Sequence, residues 1–132
     1  MTHLRAGVRE KLLSILWDLP GGPAMSAPVL EAVRYIRHHF TEDVALADVA
    51  RHIDMSPSWL TKHFNQECRM SIPAYLLKVR MEHAKKMLAQ TNMLVFEVSS
   101  AVGFDNPRYF VSVFKKATGM TPKVYRESIK KA

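Results

Sequence analysis

The stretch Val98-Ser99-Ser100-Ala101-Val102-Gly103-Phe104-Asp105-Asn106-Pro107-Arg108-Tyr109-Phe110 reads as a short helix, a turn and the start of a second helix. Ser99 is small enough for two helices to cross closely, while Val102 and Phe110 supply a small core between them. Gly103 permits positive φ in the turn. Pro107 suits the first turn of the helix that follows, and that helix runs to about Ala117. The same pattern stands upstream. Val49-Ala50, Ile53, Met55, Leu60, Phe64, Met70-Ser71 and Tyr75 recur as Val98-Ser99, Val102, Phe104, Phe110, Phe114, Met120-Thr121 and Tyr125. The offset is 49 before the turn and 50 after it, so the second copy carries one extra turn residue and every apolar landmark keeps its place. A repeat of this period implies two copies of one supersecondary unit and fixes the architecture before any other reading.

Working outward, the elements are helical and no alternating strand pattern of useful length occurs. Pro28 opens a helix carrying Val29, Val33, Ile36 and Phe40. Ala47 to His52 forms a second, and Asp54 tolerates the left-handed turn conformation after it. Ser56-Pro57 is an N-cap with proline at the first helical position, opening a third helix through about Gln66. Residues 72–90 hold the longest uninterrupted helical pattern, with Ile72, Tyr75, Leu76, Val79, Ala84, Met87 and Leu88 on one side. Lys78, Arg80, Lys85 and Lys86 fall on its other sides, where a solvated face is expected. Val95 to Val102 repeats the short helix, and a last helix follows Thr121 and runs through Ile129. Upstream, Leu4, Val8, Leu12, Ile15, Leu16 and Leu19 make an amphipathic helical stripe that stops at Pro20-Gly21-Gly22-Pro23. Its apolar face has three candidate partners: the following domain, a second copy, or a part of a longer protein.

Composition narrows the function. The chain has 132 residues, 48% hydrophobic, with 19 basic residues against 12 acidic, a net charge of +7 and a pI of about 9.8. That balance points to a polyanionic partner, nucleic acid being the commonest. Cys68 is the single cysteine, which excludes an internal disulfide and a cysteine-built zinc site and fits a reducing, cytoplasmic setting. Residues 12–19 are too short and carry the wrong flanks for a signal peptide, and no apolar run approaches the ~18 residues that span a bilayer. The sequence has no Gly-rich phosphate loop, outstanding carboxylate pair or nucleophile elbow, so no enzyme activity is expected. Histidines 3, 38, 39, 52, 63 and 83 lack metal-ligand spacing, and no metal or cofactor is expected.

Helix, tight turn, helix is the geometry whose second helix enters the DNA major groove. Two such units in register make the resemblance specific. The stretch Ala47-Asp48-Val49-Ala50 to Ser56-Pro57-Ser58-Trp59-Leu60 with Phe64 resembles the DNA-binding domain of the AraC/XylS family of bacterial transcription regulators. So do Val102-Gly103-Phe104-Asp105-Asn106, Tyr109-Phe110, Phe114-Lys115-Lys116, Gly119-Met120-Thr121-Pro122 and Tyr125-Arg126. The likeness covers about residues 28–130. It implies an all-α fold of seven helices, in which two homeodomain-like helix-turn-helix units (about 28–71 and 91–131) are joined by the helix 72–90. Residues 1–27 then form an N-terminal helix and a Pro/Gly linker. The resemblance also implies that the recognition helices enter two successive major grooves of double-stranded DNA, about 34 Å apart along one face. Three positions depart from the pattern. Asp54 stands where glycine is usual, Arg69 stands opposite Gly119 of the other copy, and Ser99 replaces an alanine.

In the first recognition helix the outward residues are Ser58, Thr61, Lys62 and Asn65, with Trp59 beside them as either packing or contact. The resemblance puts Ser58, Thr61 and Lys62 at base-reading positions. In the second, Pro107, Arg108, Val111 and Ser112 point away from Phe110 and Phe114, with Lys115 and Lys116 as phosphate contacts or solvated charges. Arg108 can make a bidentate contact to guanine or clamp a phosphate. Backbone N–H groups near Ser56, Asn106 and Thr121 are further phosphate candidates. Three readings compete: a sequence-specific transcription regulator, activator or repressor; a basic helical module that holds nucleic acid by charge alone; and a scaffold for residues 4–19 as a partner-binding helix. Members of the family that the chain resembles commonly carry a separate sensing or dimerising domain upstream. Expected partners beyond DNA are therefore RNA polymerase and, through that domain, a second copy; the present chain alone is expected to be monomeric.

Overall fold

The computed structural model describes residues 25–130, which form seven helices and no strand. They are α1 (Ala27–His39), α2 (Leu46–His52), α3 (Pro57–Cys68), α4 (Ile72–Gln90), α5 (Val95–Ala101), α6 (Pro107–Thr118) and α7 (Pro122–Lys130). The all-α expectation holds. Helix ends shift slightly: α3 runs two residues past Gln66 because Arg69, not an earlier residue, supplies the left-handed stop. The amphipathic stripe at 4–19 lies outside the described residues.

By Cα proximity these residues group into two compact units, 25–36 with 45–75 and 37–44 with 76–130. In the first, Val29, Ala32, Val33 and Ile36 of α1, Val49 and Ala50 of α2, and Leu60, Phe64 and Cys68 of α3 are buried, together with Ile72 and Tyr75. Phe64 and Tyr75 meet edge to face, with ring centres 5.9 Å apart. In the second, Met81, Ala84, Leu88, Val98, Val102, Phe104, Phe110 and Phe114 form one core. Tyr125 sets its ring edge-on to Phe114 at 5.4 Å, the counterpart of the Tyr75–Phe64 pair.

The repeat extends to single hydrogen bonds. In the first turn Ile53 donates to the Val49 carbonyl, Asp54 to Arg51 and Met55 to Ala50; in the second Val102 donates to Val98, Gly103 to Ser100 and Phe104 to Ser99. Asp54 (φ 59°) and Gly103 (φ 95°) both take the left-handed conformation, as do Arg69 (φ 56°) and Gly119 (φ 83°) at the ends of α3 and α6. The first copy therefore keeps its backbone path with side chains present, at a cost of about 1–2 kcal/mol per such residue, less for aspartate. Ser71 and Thr121 then cap the following helices alike, their hydroxyls accepting from Ala74 and Val124. The extra residue of the second copy is Asp105, inserted between Phe104 and the N-cap Asn106.

Ser99 is fully buried and its hydroxyl has no hydrogen-bond partner among the described residues. Its counterpart in the first copy is Ala50. Ser99→Ala should raise stability by about 1 kcal/mol, because an unpaired buried hydroxyl is replaced by the group the site already accommodates in the other copy. A denaturant titration reporting lower stability for the alanine variant would refute this.

Arg80 departs from the solvated face expected for its helix side. Its Nε donates to the Phe40 carbonyl (2.8 Å) and an Nη to that of Glu42 (2.9 Å), so it caps the end of α1. Its guanidinium also lies 5.5 Å from the centre of the Phe104 ring. Burial lowers its pKa from the usual value, with Asp43 and Asp105 opposing. Arg126 does the same for α4, donating to the carbonyls of Leu88 (3.0 Å) and Thr91 (3.3 Å).

Candidate nucleic-acid interface

Each recognition helix has one face sunk in its own unit and one face open. On α3, Leu60, Phe64 and Cys68 recur every four residues and are fully buried, which turns Ser58, Thr61, Lys62 and Asn65 outward, all exposed. Trp59 is half-buried because its indole stacks on His63, with ring centres 4.1 Å apart and planes 18° from parallel. His63 lies 3.9 Å from Glu67, and Glu67 accepts from both the backbone N–H (2.6 Å) and the hydroxyl (3.0 Å) of Ser26. The last turn of α3 is thereby tied to the first residue before α1. Burial pushes the Cys68 thiol up to about 11, with Glu67 adding to the effect, so it stays a protonated packing group at neutral pH.

On α6, Phe110 and Phe114 are buried and Pro107, Arg108, Ser112, Lys115 and Lys116 are exposed. Val111 differs: it is half-buried against the core of its unit, so part of its side chain is engaged before any ligand arrives. Tyr109, which sequence reasoning passed over, is 60% exposed on the same turn as Arg108, its ring leaning on Phe104 at 5.8 Å. The signal that would have found it is its alignment with Trp59 in the other copy.

The helix starts are less open to phosphate than the sequence implied. Ser56 Oγ accepts from the Trp59 N–H (3.1 Å), Asn106 Oδ1 from those of Arg108 (2.9 Å) and Tyr109 (3.3 Å), and Thr121 Oγ1 from that of Val124 (3.2 Å). The Asn106 cap takes both N–H groups that follow Pro107, whereas Ser56 and Thr121 take one each and leave those of Ser58 and Lys123 outside the cap. Among the described residues no group of histidine, cysteine, aspartate or glutamate is placed to hold a metal ion, and no helix is long and apolar enough to cross a membrane.

A family profile described as a helix-turn-helix domain matches residues 49–128, spanning both copies of the repeat. The chain belongs to the AraC/XylS family. It is 38% identical over 105 residues to the arabinose operon regulatory protein of Escherichia coli K12, covering 79% of this chain and 36% of that protein. To the xylose operon regulatory protein of the same strain it is 35% identical over 99 residues, covering 75% of this chain and 25% of that protein. The chain thus spans about a third or less of these curated AraC/XylS relatives, both of them operon regulatory proteins. Among solved structures, the C-terminal domain of AraT, a response regulator from Geobacillus stearothermophilus, superposes with a TM-score of 0.76 at 37% identity. That match covers 80% of this chain and 88% of that one. The DNA-binding domain of AdpA, solved with a target DNA, gives a TM-score of 0.74 at 24% identity over 80% of this chain and 96% of that one; it shares the AraC/XylS fold.

Proposed function

We propose that this chain is the DNA-reading part of a sequence-specific bacterial transcription regulator acting in the cytoplasm. Residues 28–132 form the DNA-binding domain and 1–27 the segment leading into it. The observation that carries the reading is the pair of recognition helices held by the same bonding scheme, each with an open face of different chemistry. α3 presents Ser58, Thr61, Lys62 and Asn65, and α6 presents Arg108 and Ser112 beside the half-buried Val111. Each enters a major groove, and the two grooves are successive turns of one duplex, about 34 Å apart. Lys62 donates to guanine O6 or N7 and the Thr61 methyl meets a thymine methyl; Arg108 makes the bidentate guanine contact. Lys115 and Lys116 lie on phosphates, Pro107 sits at the groove edge and Trp59 shields the start of α3. The arabinose and xylose operon regulators are the relatives that support this role. RNA polymerase and a second copy, joined through an upstream domain of the whole protein, are the proposed further partners.

Selection of bound sites from a random duplex library tests the reading. Two enriched blocks with centres about one helical turn apart are expected; absence of any enrichment would leave binding by charge alone. Arg108→Ala should then relax the preference at one guanine by about 1–3 kcal/mol, roughly five- to 150-fold, and leave the other block intact. Lys62→Ala should affect the other block. Equal losses on every sequence would reassign both residues to phosphate.

A further inference from the structure

The two units differ in charge far more than in shape. The described residues of the first carry four basic residues (Arg34, Arg51, Lys62, Arg69) and four acidic ones, a net charge of zero. The described residues of the second carry eleven basic against six acidic, a net +5. Internal pairing widens the difference. In the first unit Arg34 binds Glu31 (2.8 Å) and Arg51 binds Asp48 (3.3 Å), leaving Lys62 and Arg69. In the second, Arg80 and Arg126 are engaged with carbonyls and Arg37 lies 3.3 Å from Glu82. Arg108, Lys115, Lys116, Lys123 and Lys130 all remain exposed on α6 and α7, with no ion pair among the described residues. Of the acids there, Glu97 accepts from the Leu94 N–H (2.8 Å) and Glu42 lies 2.8 Å from His39.

From this we infer a division of labour: the second unit anchors the chain to the phosphates of any duplex, and the first unit reads its block without holding the DNA by itself. The inference rests on the DNA-reading assignment above. Each phosphate neutralised by a lysine or arginine contributes about 0.9 to the slope of log affinity against log salt. Cations already paired within the protein release fewer counterions, so the slope should come mainly from the second unit, from α6 and α7 together with Lys85 and Lys86 of α4, which also carry no ion pair among the described residues. The first unit, neutral overall, gains affinity only where its exposed side chains match bases.

The test uses the full chain and a duplex recovered by site selection. Replacing Lys115, Lys116 and Lys123 together by glutamine should lower the salt slope by about 2–3 and weaken binding to selected and random duplexes alike. Replacing Lys62 and Arg69 by glutamine should change the slope by no more than about 1. These side chains are exposed, and circular dichroism should find both variants folded. A larger slope loss from the Lys62/Arg69 pair would overturn the inference. So would a duplex in which the block relaxed by Arg108→Ala is randomised while the block relaxed by Lys62→Ala is kept, if it bound no more tightly than random DNA, because an anchor indifferent to sequence should leave the first unit's preference in place. Absence of preference at both blocks would instead overturn the reading assignment, while the two slopes would still decide which unit anchors.

Discussion

Phe114→Ala should lower stability by about 3–5 kcal/mol and the thermal midpoint by an amount of order 10 °C or more, with loss of DNA binding near the new midpoint. Phe114 is fully buried, sits 5.8 Å from the Phe110 ring centre and receives the edge of Tyr125. Truncation removes the transfer energy of the ring and leaves a cavity among aromatic neighbours too rigid to collapse into it. The side chain also fixes the rotation of α6 about its axis, and with it the outward aim of Arg108 and Ser112. Thermal unfolding followed by circular dichroism checks the first part and a binding isotherm below the midpoint the second. A loss under about 1 kcal/mol would mean that the site repacks and that Phe114 does not anchor the helix.

The next largest effect is expected at Gly103. A Cβ there would lie 3.1 Å from the Arg80 Cζ, 3.1 Å from one Nη and 3.1 Å from the Phe40 carbonyl oxygen, at φ +95°. The guanidinium cannot swing away without giving up both of its carbonyl partners, and the carbonyl is backbone. Gly103→Ala therefore combines the left-handed penalty with overpacking, about 3 kcal/mol in all. Gly119→Ala, at φ +83° with nothing within 4 Å, should cost only the conformational part, about 1 kcal/mol. Removing Arg80 as well should recover part of the Gly103→Ala loss, a coupling of at least about 0.5 kcal/mol in a double-mutant cycle. Equal costs at the two glycines, or additive losses with Arg80→Ala, would show that the guanidinium does not press on this turn.

These sites mark the border of what the sequence made legible. The repeat, the helix caps and the buried face of each recognition helix follow from local rules. Apolar residues return every three or four positions, Ser56 and Asn106 precede prolines, and residues able to take positive φ close the turns. Asp54 and Arg69 were visible as departures, and the left-handed conformation they adopt follows from the bonding scheme their glycine counterparts share. The role of Arg80 was not legible, since its partners lie about forty positions upstream and no local period encodes them. Arg126 reaches back almost as far. On the candidate interface, the exposed positions followed from helical spacing alone. The half-burial of Val111 and the stacking of Trp59 on His63 depend on neighbours that spacing does not specify. The engagement of the helix-start N–H groups came from the very caps that had marked those helices in the sequence.

The shared bonding scheme of the two turns has a consequence for how such a protein can change. Ser58, Thr61 and Lys62 stand at the positions that Arg108, Val111 and Ser112 occupy in the other copy, on helices stopped and started by equivalent bonds. On the proposed reading assignment the letters a unit reads are written on a scaffold indifferent to them, and exchange of these exposed residues should transplant a reading face from one helix to the other as a cassette. Revision of one half of the recognised sequence then leaves the grammar of the other half untouched.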